Sequence, residues 1–164
     1  MMMNQMQLQL SCNFGSIMQV LLNTERKTFK LISIALQTMP ALRVNQMCVI
    51  RNTRGEPVGY AIWAFLSDEV AAEMSTNPDR LLHYSEWNEG LNAWIIDFVA
   101  LPGIARALAA MLRNGPLKGF DRFHGVRTRA DGSIRKVVNV KALVRAPAAE
   151  TPPPIHMLES TAAA

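Results

Sequence analysis

The stretch Leu91 to Gly103, LNAWIIDFVALPG, constrains this chain more than any other. Apolar residues run almost unbroken through it, too few to span a bilayer, and Pro102 and Gly103 end it. That predicts a strand over roughly Ala93 to Leu101, central in a sheet and buried on both faces. Asp97 lies inside the run. Burying a carboxylate is costly unless it is paired, hydrogen-bonded or protonated. Three readings are open from the residue alone: an ion pair with an arginine of a neighbouring element, a catalytic carboxylate that acts as a base or orients one, or a strand lying at a sheet edge.

The rest of the chain supplies what such a strand packs against. In FGSIMQVLLNT, residues 14–24, Phe14, Ile17, Met18, Leu21 and Leu22 recur at helical spacing. A second helix is expected in ERKTFKLISIALQTM, with Phe29, Ile32, Leu36 and Met39 on one face and Pro40 ending or bending it. QMCVIRN and PVGYAIWAFL flank a Gly-containing turn and read as a hairpin. Ser67 is a candidate N-cap for a short helix in SDEVAAEMST. After the central strand, PGIARALAAMLRNG predicts a helix that stops at Gly115. FDRFHGVRTRADGSIRKVVNVKALV gives two strands around an Asp-Gly turn.

The order α-α-β-β-α-β-α-β-β predicts a single mixed α/β domain over residues 14–145. Residues 1–13 read as a flexible N-terminus, and the Pro/Ala-rich residues 146–164 as a disordered tail. With 49% hydrophobic and 18% charged residues in 164, the composition is globular. The N-terminus has no basic region followed by an apolar core, so a cytoplasmic location is expected.

Several chemistries lack their residues. Cys12 and Cys48 have no CxxC or Cys/His partner spacing, which argues against a disulfide framework or a metal site. No Walker loop, nucleophile elbow or HExxH occurs. The net charge of +4 is concentrated in the C-terminal half, from Arg106 and Arg113 to Lys141 and Arg145, which suits an acidic partner or is a solvated surface. A nucleic acid is disfavoured, because no aromatic residues are interleaved with the basic hairpin RTRADGSIRK. Trp63, Trp87 and Trp94 fall close together and either pack the core or line a pocket for an apolar chain. Gly103, between strand and helix, puts backbone amides where a phosphate or a carrier arm could be received.

Four stretches in register, MPALRVNQMCVI, PVGYAIWAFLS, WNEGLNAWIIDFVALPG and RALAAML, resemble the toxin-activating lysine acyltransferases, which fatty-acylate internal lysines of RTX toxins. The likeness covers roughly residues 14–115. It implies a GNAT-like acyltransferase fold, an acyl carrier protein thioester as donor with no other cofactor, a protoxin lysine as acceptor and often a homodimer. Asp97 falls on the family's catalytic Asp. The family's catalytic His falls on Arg26. Ile62 stands where the family has Ser, and Leu91 where it has Asp.

An attacking lysine must lose a proton, a task suited to imidazole near neutral pH and closed to arginine. The departure at Arg26 therefore leaves three possibilities. Asp97 serves as the base while Arg26 binds an acidic group of the donor or polarises the thioester carbonyl. Alternatively His83 or His124 reaches the site from another element. The third is a protein that binds partners without transferring acyl groups.

Overall fold

The computed structural model describes residues 5–78, 80–128 and 134–141. In chain order they form α1 (Gln5–Leu22), a 3-10 turn (Glu25–Thr28), α2 (Leu31–Arg43), β1 (Met47–Arg51), β2 (Pro57–Leu66), α3 (Asp68–Thr76), a second 3-10 turn (Tyr84–Trp87), β3 (Asn92–Ala100), α4 (Ala105–Asn114), β4 (Arg122–Thr128) and β5 (Ile134–Lys141). The strands make one five-stranded sheet in sequential order. Every neighbouring pair is antiparallel except β3 and β4, which run parallel with α4 between them. The expected α/β architecture is what forms, and it is consistent with a GNAT-like fold.

Helices cover both sheet faces. On one face α1, α2 and α3 bury Ile17, Val20, Leu42 and Met74 against Tyr60, Ile62, Ala64 and Trp94. On the other, Leu108 and Leu112 of α4 pack on Ala61, Trp63, Ala93 and Ile95. The faces alternate residue by residue along β2 from Tyr60 to Leu66, as a pleated strand requires.

β3 breaks that alternation once. Ile62 pairs with Asp97 but the next residue, Trp63, pairs with Ile95, so Ile96 is an extra residue opposite β2. Ala93 and Ile95 face α4 before this bulge; Phe98 and Ala100 face it afterwards. Strict alternation would have sent Asp97 to the α4 side with Ala93 and Ile95. The bulge instead delivers it to the α1 side, beside Tyr60.

Two expectations about the N-terminal helices are corrected. Residues 5–13, read as a flexible lead-in, form the first part of α1. Their Gln-Met-Gln-Leu-Gln-Leu sequence carries no 3.6-residue stripe, yet every one of those residue types favours helix. In α2 the buried side chains are Ile34, Thr38, Ala41 and Leu42; of the expected stripe Phe29 and Met39 are half-buried against this core, whereas Ile32 and Leu36 are 62% and 52% exposed. Pro40 lies inside α2 and does not end it. The carbonyl it leaves without an i→i−4 donor belongs to Leu36, a residue with access to water.

The connection from α3 to β3 is tied down by polar contacts. Ser67 caps α3 as expected, accepting from the Val70 N–H. Arg80 holds Glu86 through both of its terminal nitrogens, at 3.1 and 2.7 Å, and Glu86 accepts the His83 N–H. Gly90 lies so close to β2 that a Cβ there would stand 2.1 Å from the Leu66 carbonyl oxygen. The residues of the expected Asp-Gly turn and of the C-terminal tail lie outside the described residues.

Candidate active site

The first 3-10 turn exists because Thr24 caps it: its Oγ1 accepts the Arg26 N–H at 3.2 Å and donates to the Leu21 carbonyl at 2.8 Å. This fixes the chain leaving α1 and turns Arg26 inward over β3. Arg26 Nη1 donates to Asp97 Oδ1 at 2.6 Å. The Phe98 N–H also donates to Oδ1, at 2.9 Å, and the Tyr60 hydroxyl donates to Oδ2 at 2.6 Å. Both carboxylate oxygens are thus engaged, one by a cation and a backbone amide, the other by a phenol. The Arg26 guanidinium carbon lies 5.8 Å from the centre of the Phe29 ring.

The ion pair is sheltered but open to solvent at one edge, with side-chain exposures of 17% for Arg26 and 13% for Asp97. Burial works against the guanidinium charge; the Asp97 carboxylate, with Tyr60 behind it, outweighs that and raises its pKa. Burial, with the carboxylate's charge added, pushes the Tyr60 phenol above its ordinary range, so Tyr60 stays a donor. Ile62, in register with Asp97 and fully buried, makes the carboxylate's neighbour across the strands apolar.

Of the residues singled out in the sequence, Arg26 and Asp97 are brought together although 71 positions separate them. The three tryptophans do not share a cleft. Trp63 packs on the α4 side of the sheet, Trp87 and Trp94 on the other, and none is more than 6% exposed. Gly103 lies in the turn from β3 to α4 with φ +84°, a conformation that suits glycine. His83 caps the second 3-10 turn, its ring paired with Ser85. His124 stacks on Trp94 with ring centres 4.9 Å apart. Tyr60 was missed: nothing in its local sequence marks it, and only the β2–β3 register puts it on the face of Asp97.

The half-buried Asp97 is held by Arg26, the residue that stands where the family's His falls. A profile of the RTX toxin acyltransferase family matches residues 6–141. The chain belongs to that family. Among curated relatives, an uncharacterised protein of Synechocystis sp. is 32% identical over 62% of this chain and 67% of its own. The lysine-acyltransferase RtxC of Vibrio cholerae is 29% identical over 46% of this chain and 48% of its own. The leukotoxin-activating lysine-acyltransferase LtxC of Aggregatibacter actinomycetemcomitans is 26% identical over 68% of this chain and 64% of its own. The chain thus spans about half to two thirds of the length of these relatives. Among the described residues no helix is long and apolar enough to cross a membrane, and no group of His, Cys, Asp and Glu could hold a metal ion.

Proposed function

We propose that this member of the RTX toxin acyltransferase family transfers a fatty acyl group from an acyl carrier protein thioester to a lysine of a toxin-like protein in the cytoplasm. The observation that carries this reading is the Arg26–Asp97–Tyr60 cluster on the bulged strand. Among the described residues β3 pairs with β4 at two positions, Trp94 with His124 and Ile95 with Gly125. From the bulge onward β3 has no ladder partner on that side among the described residues. An extended thioester arm laid there would bring its carbonyl to the carboxylate.

In the transfer, the lysine nitrogen attacks the thioester carbonyl, the carbon–sulfur bond breaks and the carrier thiol leaves. Arg26 turns one N–H from Asp97 to the developing oxyanion and brings its positive charge to it. That motion exposes Asp97 Oδ1, which takes the amine proton and passes it to the thiolate. Tyr60 and the Phe98 N–H hold the carboxylate in place throughout. The acidic carrier protein docks on the basic C-terminal half, where Arg106 and Lys118 are among the described residues.

The test is to incubate the protein with acyl carrier protein loaded with a series of chains and with a lysine-rich acceptor protein, and to read intact masses. An acyl mass on lysine that vanishes in Asp97→Asn supports the assignment. A second reading, a protein that binds the same partners without transfer, is favoured by one observation: Arg26 cannot accept a proton and occupies one oxygen of Asp97. Carrier binding with no acyl-lysine for any chain length selects it.

A further inference from the structure

Beside the cluster, the 3-10 turn and the end of β3 enclose an open groove of about 530 Å³. Leu22, Ala100, Leu101 and Pro102 supply its apolar walls. Of the polar side chains lining it, Asn23 donates to the Gln19 carbonyl and Thr24 is committed to its cap. Glu25 and Lys27 also line it, and neither is in an ion pair among the described residues. Glu25 directly precedes Arg26, and Ala100 is three strand positions from Asp97, about 10 Å along β3.

We infer that this groove receives the acceptor lysine, and that the Glu25 carboxylate recognises its ammonium group before transfer. The inference rests on the acyltransferase reading. Apolar walls with one carboxylate among the lining groups match a four-carbon stem that carries a cation. The groove is open to solvent, so it takes a side chain presented on a polypeptide and not an enclosed small molecule. Glu25 and Lys27 flank Arg26, which holds Asp97, so a lysine bound at Glu25 lies beside the residue that pairs with the carboxylate. Lys27 on the same surface disfavours a second cation beside the acceptor and favours an acidic neighbour or backbone carbonyls.

The experiment is a titration of the isotope-labelled full chain, without donor, with the capped peptide Ac-Ala-Ala-Lys-Ala-Ala-NH2, followed by amide NMR. The expected shifts fall on residues 22–27 and on Leu101 and Gly103. Glu25→Gln weakens binding about twofold to fivefold, the range for an exposed charge pair, while Glu25→Asp retains most of it. Equal binding of the norleucine peptide, shifts centred elsewhere, or unchanged affinity in Glu25→Gln overturns the inference. Because no donor is present, a protein that binds the lysine peptide here but never acylates it keeps the groove and loses the proposed reaction. Conversely, transfer with an unchanged acceptor KM in Glu25→Gln removes the groove alone.

Discussion

Replacing Asp97 by Asn keeps the side chain's shape and removes its charge. The Asn carbonyl can still accept from Arg26 and from the Phe98 N–H, and the Tyr60 hydroxyl can rotate to accept from the new amide. What is lost is the charge on three short contacts, with the Arg26 cation left 17% exposed. Hydrogen bonds to charged groups contribute about 1.5–3 kcal/mol, and breaking a fully buried pair costs about 3–5. The remaining water access places this pair near about 2 kcal/mol. With a urea dependence of about 2 kcal/mol per molar, the denaturation midpoint falls by about 1 M. Arg26→Met leaves the carboxylate with two neutral donors and shifts the midpoint similarly. If the two residues act as one unit, the double variant costs about 2 kcal/mol less than the sum of the singles. Additive effects, within about 0.5 kcal/mol, would refute the claim that the pair organises this face of the sheet.

Arg26→His puts the family's residue type at this position, beside Asp97, and gives the site a titrating base. Transfer rate in that variant rises as pH increases through the imidazole pKa, which the adjacent Asp97 favours above about 6.5, because only the neutral ring accepts a proton; a pH–rate profile shows this limb, which the arginine protein lacks. Gly90→Ala forces a methyl group against the Leu66 backbone and lowers stability by about 3 kcal/mol, seen as a drop of about 10 °C in Tm. Burial pushes the Cys48 thiol up to about 12, whereas Cys12 is exposed. Iodoacetamide at pH 8 therefore labels Cys12 and spares Cys48, as peptide mass mapping reports.

Much of the architecture was legible because each element carried its own local signal. Ser67 before an acidic turn, Pro102-Gly103 after an apolar run and the Gly-containing turn before Pro57 all did what their chemistry demands. The α2 face was misread because apolar residues occupy more than one side of that helix: Ile32 and Leu36 formed a stripe as regular as the one that packs. Asp97 was found as an anomaly, an acid where the pattern calls for an apolar residue. Its partners were not derivable in the same way. Arg26 came only from the family likeness, and Tyr60 not at all, because both depend on long-range register. The tryptophans, close together in sequence, were sorted to opposite sides of the sheet by strand parity and the second 3-10 turn.

The extra residue at Ile96 separates two responsibilities of one strand. Residues before it answer to the packing of Trp94 and Ile95; residues after it answer to the position of Asp97. Deleting Ile96 would place Asp97 directly after Ile95 and still opposite Ile62, so the ladder with β2 would run without a bulge and every later side chain would keep its face. What the extra residue adds is length and local twist, with Ile96 brought to the α1 side next to the acid. For anyone grafting this cluster onto another sheet, the pairing that sets Asp97 opposite Ile62 and near Tyr60 belongs to the transplant as much as the three polar side chains do.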